Sequence, residues 1–243
     1  MVDFLGDPKI PEKAMRASRT MQIAYFQGLY KQYSRMKLTV ARDRPIAISG
    51  LEIRLRKAFE TDAGFGIFDD GPGGELFCRS ILWQRGEERD DGFLEPIDSA
   101  RVPSWSWMAY TGGIDYTDPP FGSADWEGLK ITPPPIWSQD LSLAAMVRDF
   151  TVAGRLPGEV KLIYDTERTT SSDGQRAQCV IVAKSKEGLS DREKRHYVLL
   201  VVSTVERHQR ELYWSERYER VGAGLMLGKH INLDDPGISA RIL

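Results

Sequence analysis

Two tryptophans spaced two positions apart, Trp105 and Trp107, are the residues best suited to bind an apolar ligand. They lie in the sequence VPSWSWMAYTGGIDY, which covers residues 102–116. Because the side chains of an extended strand alternate between its two faces, we expect both indoles on the same face of one strand. The glycines that follow, Gly112 and Gly113, would supply the positive φ angles of a tight hairpin turn. Each indole buries roughly 150–250 Å², so the pair either fills a core or forms the wall of a pocket.

The pocket interpretation predicts a site for an apolar small molecule, with a few polar groups beside the indoles. Its candidate substrate-binding residues are Trp83, Trp105, Trp107, Tyr110, Asp115, Tyr116 and Arg220. Such a pocket can accelerate the cyclisation of a single substrate by holding it in a reactive conformation and polarising an acceptor group, so it needs no metal, nucleophile or cofactor. The alternative is that Trp83, Trp105 and Trp107 fill the core, as large aromatic residues commonly do.

Arg220 is the charged residue most open to a functional role, because an apolar segment, Val221 to Leu225, follows it directly. A guanidinium keeps its charge when buried and presents five hydrogen-bond donors. We therefore expect Arg220 either to pair with an acid such as Asp115 or to donate hydrogen bonds to a ligand oxygen. For Arg35 and Asp43 we expect structural roles at helix ends, where a cation and an N-cap aspartate stabilise the helix.

The sequence contains no standard catalytic or cofactor-binding motif. No serine lies in a Gly-x-Ser-x-Gly elbow, and the Gly-Ala-Gly of residues 222–224 is too short for a dinucleotide fingerprint, so these glycines should allow a close approach of a neighbouring backbone. No spacing of histidine, cysteine or carboxylate residues is typical of a metal site, so we expect metal independence. The three histidines, in unrelated contexts, are His196, His208 and His230. The two cysteines, Cys78 and Cys179, lie beside apolar residues, so we expect buried reduced thiols.

Charge and the N-terminal sequence argue against several classes of protein. The 243 residues carry a formal net charge of −2 and show no basic stripe, which argues against nucleic acid as a partner. The first residues, MVDFLGDPKIPEKAMR, lack the basic start and the apolar segment of a signal peptide, and no apolar run is long enough to span a membrane. We therefore expect a cytoplasmic protein without a membrane span.

Hydrophobic periodicity predicts two amphipathic helices in the first sixty residues. Apolar residues at spacings of three and four mark the buried face of the first helix, namely Ile23, Phe26, Tyr30 and Tyr33. The second helix is expected to begin near Asp43, with Pro45 in its first turn. Its apolar face is formed by Ile48, Leu51, Leu55 and Phe59.

From residue 102 onward the pattern changes to that of β-strands. Apolar residues alternate over 141–147 and 160–164, and continuous apolar runs of strand length occupy 179–183 and 197–202. We therefore predict an α+β fold in which N-terminal helices pack on a bent antiparallel β-sheet or a small β-barrel. We expect residues 1–243 to form a single domain, with a helical part (1–62), an irregular part with a short helix (63–101) and a part of mainly antiparallel strands (102–243).

The order of several short motifs resembles the region that follows the HET domain in fungal heterokaryon-incompatibility proteins. The motifs are YSR (33–35), LT (38–39), Asp43, AISGL (47–51), LW (82–83), PSWSW (103–107) and RVG (220–222). The likeness covers residues 22–116 best, and PSWSW is its most specific element. No counterpart of the HET domain itself precedes residue 22, so we expect a stand-alone accessory fold. The resemblance implies that cell-death signalling resides in the domain that this chain lacks.

Two functions are compatible with these observations. The first is a stand-alone protein of the HET-accessory fold that binds an apolar small molecule, most sharply a cofactor-independent cyclase or pericyclase of fungal secondary metabolism, for example for a Diels–Alder type cyclisation. The alternative is a non-enzymatic interaction or regulatory module related to heterokaryon-incompatibility proteins, with a protein as its partner. An enclosed apolar cavity of about 300 Å³ or more would favour the first.

Overall fold

A computed structural model describes residues 17–88, 92–97, 102–132, 141–167, 176–204 and 216–243. Three α-helices lie in its N-terminal part: α1 (Arg19–Ser34), α2 (Arg44–Phe59) and α3 (Glu75–Ile81). The apolar faces predicted for the first two helices are buried, which confirms both predictions. Asp43 occupies the N-cap position of α2 but makes no side-chain cap hydrogen bond. Its backbone already has helical angles because a 3₁₀ turn precedes it, whereas a capping side chain needs an extended backbone.

The described residues contain fourteen strands, which are short before residue 133 and longer after residue 141. In chain order they are β1 (Asp62–Gly64), β2 (Ile67–Asp69), β3 (Trp83–Arg85), β4 (Glu95–Pro96), β5 (Tyr110–Thr111), β6 (Ile114–Tyr116), β7 (Ala124–Trp126), β8 (Lys130–Thr132), β9 (Ser142–Arg148), β10 (Val160–Tyr164), β11 (Gln178–Ser185), β12 (Arg195–Ser203), β13 (Glu216–Leu227) and β14 (Ile238–Ile242). Three small antiparallel pairs, β1–β2, β3–β6 and β4–β5, accompany the helices. In two of these pairs, β3–β6 and β4–β5, the two strands are distant in sequence.

Five of the longer strands close into a barrel in the order β11-β12-β13-β14-β9. The closing pairs join β9 to β11 and place Cys179 opposite Arg148 and Val180 opposite Val147. β7, β8 and β10 pair with β11, β9 and β13 from outside this ring. The predicted α+β class is thereby confirmed. The sheet is mixed rather than wholly antiparallel, because the connection after β13 returns along the barrel and places β14 parallel to it.

The segment that carries Trp105 and Trp107 is not a strand, so the prediction of two indoles on one strand face was wrong. Trp107 begins a 3₁₀ turn, Trp107–Ala109, and Trp105 lies in the turn before it. The backbone N–H of Ser106 donates to the Pro103 carbonyl (2.9 Å), and the Ser106 hydroxyl accepts from the Met108 N–H (3.0 Å). These local bonds of serine and proline compete with strand pairing and curl the chain.

The expected hairpin at the two following glycines was also wrong. β5 and β6 flank Gly112 and Gly113, but β5 pairs with β4 and β6 pairs with β3. Gly112 has the expected positive φ, 115°. A side chain at Gly112 would also lie 2.6 Å from the Leu94 side chain, so the position needs glycine for two reasons.

The helices and the barrel share one large hydrophobic core, and a smaller core lies on the other side of β12. Leu199 and Val201 of β12 belong to the shared core, whereas Val198 and Leu200 belong to the smaller one, as strand alternation requires. The glycine prediction for residues 222–224 is confirmed. A Cβ at Gly222 would approach the Ile163 carbonyl to 2.5 Å, and one at Gly224 would collide with the Lys161 carbonyl.

Candidate functional site

The aromatic candidate residues lie in the interior of the protein. Trp83, Trp105 and Trp107 expose 0%, 1% and 0% of their surface, and Tyr110 and Tyr116 are buried as well. The structure does not bring all of the candidates together. One group contains Trp83, Trp105, Tyr110 and Arg220. Trp107 packs in a second group with α1, Tyr116 packs against Phe26 of α1, and Asp115 belongs to neither group.

The first group is built around the buried guanidinium of Arg220, on β13. Its Cζ lies 3.3 Å from the centroid of the Trp83 ring, a cation–π contact. Its Nε binds Asp165 Oδ2 at 3.0 Å, its Nη1 donates to the Ile81 carbonyl at 2.8 Å, and its Nη2 donates to the Trp83 carbonyl. All three guanidinium nitrogens therefore already have an acceptor.

Asp165, directly after β10, is the carboxylate partner of Arg220. Both side chains are fully buried, and Asp165 Oδ1 also lies 3.4 Å from Arg220 Nη2. Burial raises the pKa of the Asp165 carboxyl, and the charge of Arg220 opposes that shift. Because an isolated charge in this place is costly, each of the two residues depends on the other.

The remaining members of this group connect the PSWSW segment to β3, directly after the C-terminal end of α3. The Trp83 indole N–H donates to the Trp105 carbonyl at 2.8 Å. The Tyr110 ring packs 5.7 Å from the Trp83 ring, and burial raises the pKa of Tyr110. The Ser104 hydroxyl accepts from the Arg220 backbone N–H at 3.0 Å. The group therefore joins α3, β3, the PSWSW segment and β13.

Asp115 does not pair with Arg220, contrary to the example suggested from the sequence. It lies on β6 and binds Lys31 Nζ of α1 at 3.0 Å and Nη2 of Arg35, the residue directly after α1, at 3.2 Å. Partial burial favours a higher pKa for Asp115, but the two cations outweigh it and lower the pKa. These half-exposed ion pairs connect α1 to β6.

The second group surrounds Trp107. Its ring packs 5.2 Å from Tyr30 and 6.1 Å from Tyr33, and the Arg44 Cζ lies 5.7 Å from it. A side chain at Gly66, which has φ 77°, would collide with the Trp107 indole. The indole is therefore enclosed by α1, by the start of α2 and by the β1–β2 turn.

A second fully buried arginine, Arg79, lies on α3. It binds Glu75 Oε1 at 2.9 Å, and it also contacts the Asp118 carboxylate. The rings of Phe121 and Trp126 lie 4.1 Å and 5.1 Å from its Cζ. Burial raises the pKa of Asp118, whereas Arg79 acts to lower it. Arg79 thus anchors α3 to the connection between β6 and β7.

Three buried charged residues were not among the candidates predicted from the sequence: Asp165, Arg44 and Arg79. Arg79 and Asp165 carried a signal, because each is a charged residue within or at the end of an apolar run, ELFCRSILW and VKLIYD. Charged residues in such positions are buried only when they are paired. The identity of the partner is a long-range property, since 55 residues separate Asp165 from Arg220.

An open cleft of about 370 Å³ lies beside α2. Its lining residues are Tyr33, Ala47, Ile48, Gly50, Leu51 and Arg54. None of the seven candidate residues belongs to this lining. The cleft reaches the volume expected for a small-molecule site but lacks the enclosure that such a site needs.

Cys78 and Cys179 are buried free thiols, as predicted. Burial raises the pKa of both thiols to about 12. His196 and His230 lie apart on the barrel side, and His208 lies outside the described residues. Within the described ranges, no group of three or more histidine, cysteine or carboxylate residues could hold a metal ion. In the same ranges, no helix combines the length and the apolar character needed to cross a bilayer.

Comparisons with known proteins give no relative to set beside this geometry. No family model, no curated protein and no solved structure matches the chain.

Proposed function

We propose that this chain is a non-enzymatic interaction or regulatory module, related to the region that follows the HET domain in heterokaryon-incompatibility proteins. One observation supports this most: Trp83 contacts both Trp105 and Arg220 where the helices meet the barrel. These residues, which carry the resemblance, then serve to hold the accessory fold in shape. A binding partner would then be recognised by residues at the protein surface.

The state of the polar groups also favours an interaction module over a ligand-binding protein. A small-molecule site encloses most of its ligand and orients it with a few polar groups. The guanidinium nitrogens of Arg220 are bonded to Asp165 and to two carbonyls. Asp115 is bonded to two cations at the end of α1, Lys31 and Arg35. The two charged candidates, Arg220 and Asp115, therefore stabilise the protein's own elements.

Purification of the tagged chain from its own cells, followed by native mass spectrometry, tests this function. We expect a protein partner in a defined stoichiometric complex, and no apolar small molecule. A tagged Ile53→Asp variant is measured beside it: because Ile53 is an exposed side chain on α2, loss of the partner from this variant would place the contact on that helix. Stoichiometric recovery of an apolar small molecule with the free chain, without a protein partner, would contradict the proposal.

The second candidate function is a cofactor-independent cyclase or pericyclase acting on an apolar metabolite. The observation that favours it is the 370 Å³ cleft beside α2, whose walls include Ile48 and Leu51. Catalysis there would rest on holding a reactive conformation, and it would need a closure that excludes water. Saturable binding of an apolar metabolite, abolished by Gly50→Gln, would support this candidate against the first.

A further inference from the structure

We propose that the outer side of α2 is a docking surface for an acidic amphipathic helix of a partner protein. This proposal rests on the interaction role proposed above. Six exposed residues, called here the α2 face, form the surface: Ile46, Ala47, Gly50, Ile53, Arg54 and Lys57. At about 100° per residue they fall within one arc of roughly 120°. The opposite side of the helix faces the core, so α2 is apolar on two sides.

Two isoleucines make the α2 face unusually apolar for a helix surface. Ile46 is 74% exposed and Ile53 is 61% exposed. Among the large apolar side chains of the described residues, only Leu189 is more exposed than Ile46. The two isoleucines are seven residues apart, so they lie two turns apart on the same side of α2. This spacing suits contact with a second helix that lies along the first.

Gly50 leaves a gap between the two isoleucines. A Cβ built at Gly50 would meet no atom within 4 Å. The gap opens into the 370 Å³ cleft, which Ala47, Leu51 and Tyr33 also line. A bulky apolar side chain of a partner helix can therefore enter between Ile46 and Ile53, as anchor residues do at helix-in-groove interfaces.

The charge around the α2 face selects an acidic partner. Arg54 and Lys57 belong to the face, and Lys37 and Arg42 are exposed in the connection before it. The exposed carboxylates of the same stretch are fewer, Asp43 and Glu60. Carboxylates that flank the apolar ridge of a partner helix would complement these cations and orient it.

Two other occupants fit the surface less well. In a symmetric dimer the same patch meets itself, so Arg54 and Lys57 of two copies would face each other. An anionic membrane would contact the cleft on the other side of Ile53 as well. The charges that line that cleft nearly cancel, so it gives an anionic membrane no net attraction: Glu60, Asp62, Asp69 and Asp70 lie there beside Arg19, Arg56 and Lys57.

The test uses the full chain and two labelled synthetic helical peptides. Both peptides carry leucine at every third or fourth position, with glutamate elsewhere in one and lysine elsewhere in the other. Fluorescence anisotropy measures binding, and hydrogen exchange measures protection of the α2 amides. We expect saturable binding of the glutamate peptide with protection over 44–59, and no such binding of the lysine peptide.

Two matched glycine variants separate docking from stability. Gly50→Gln fills the gap, whereas Gly28→Gln adds the same side chain to α1 at a position whose Cβ also meets nothing within 4 Å. We expect Gly50→Gln to lower the affinity for the glutamate peptide about tenfold or more without loss of thermal stability. Gly28→Gln should leave the affinity for this peptide unchanged. Reversal of two charges, Arg54→Glu with Lys57→Glu, should transfer preference to the lysine peptide.

Several results would overturn the docking proposal: equal binding of both peptides, no binding of either, an unaffected Gly50→Gln variant, binding only to phosphatidylserine vesicles, or α2 protection caused by dimerisation. If peptide binding fails while native mass spectrometry still finds a protein partner, the α2 face is not the docking surface, but the proposed interaction role still holds. If an apolar small molecule is recovered in place of a partner, the interaction role itself fails.

Discussion

The guanidinium of Arg220 lies over the indole ring of Trp83, with 3.3 Å between Cζ and the ring centroid. The same guanidinium donates to the Trp83 carbonyl and pairs with Asp165. One side chain of β13 thus holds the start of β3 and the residue that follows β10. Since β3 belongs to the helical part and β13 to the barrel, the contact acts as a joint between the two.

The first prediction is that Arg220→Met destabilises the protein by about 3–5 kcal/mol, because it leaves the buried Asp165 carboxylate without its partner. This is a large part of the 5–15 kcal/mol that stabilises a typical domain. Urea denaturation measures the change. Arg35→Met is the control: it removes partly exposed contacts with Asp115 and with the Ile114 carbonyl, but Lys31 still binds Asp115, so the loss should be smaller, about 1–2 kcal/mol. Equal losses for the two variants would contradict the prediction.

The second prediction concerns Trp107. Trp107→Ala removes a fully buried indole packed against Tyr30 and Tyr33, so it should cost about 3–5 kcal/mol. Circular dichroism and thermal unfolding check this loss. Trp107→Phe keeps a ring in the site and should lose less. A Trp107→Ala protein that unfolds like the wild type would show that the indole lines a pocket rather than the core.

The third prediction compares two glycines. Gly66→Ala should destabilise the protein, because φ is 77° at Gly66 and the new methyl group would collide with the Trp107 indole. Gly50→Ala should stabilise it by about 0.5–1 kcal/mol, since Gly50 lies within an exposed helix with open space around it. The thermal unfolding midpoints of the two variants show whether each is less or more stable than the wild type. A Gly66→Ala protein as stable as the wild type would refute the packing assigned to Trp107.

The sequence predicts the elements whose pattern is local. The buried faces of α1 and α2 follow from the spacing of residues such as Ile23, Phe26 and Leu55, and strands β9 to β12 follow from alternation and from apolar runs. The PSWSW segment misleads because alternating tryptophan and serine imitates a strand, while Pro103 and Ser106 bend the backbone by local hydrogen bonds.

Long-range partners are the part that the sequence does not reveal. Barrel closure depends on the pairing of Val180 with Val147, and the partner of Arg220 depends on where Asp165 is placed. No local sequence pattern shows which of these distant residues become partners. The sequence therefore predicted the types of residue in the candidate site, aromatic and charged, but not which of these residues contact each other.

The fourth prediction concerns stability in acid. Hydrogen bonds from the Leu156 N–H and from Lys229 lower the pKa of Glu159 from its ordinary 4.5 to about 2. The unfolded chain therefore takes up this proton more readily than the folded protein, so the contribution of Glu159 to stability is complete above pH 4.5 and is lost as the pH falls towards 2.

Glu159→Gln should consequently flatten the decline in the free energy of unfolding between pH 4.5 and pH 2. Guanidinium denaturation at a series of pH values measures it. The variant Glu193→Gln, which removes an exposed carboxylate outside this cluster, is the control. Parallel curves for the wild type and Glu159→Gln would contradict the role assigned to these hydrogen bonds.

The double-mutant cycle of Arg220 and Asp165, measured by urea denaturation, tests most directly the claim that these residues form a joint rather than a ligand site. We predict that Arg220→Met and Asp165→Leu are each destabilising. The double variant should be more stable than the sum of the single losses implies, by about 0.5–3 kcal/mol or more, because neither charge is then left alone. Single variants of near wild-type stability, with additive effects in the double variant, would contradict the account.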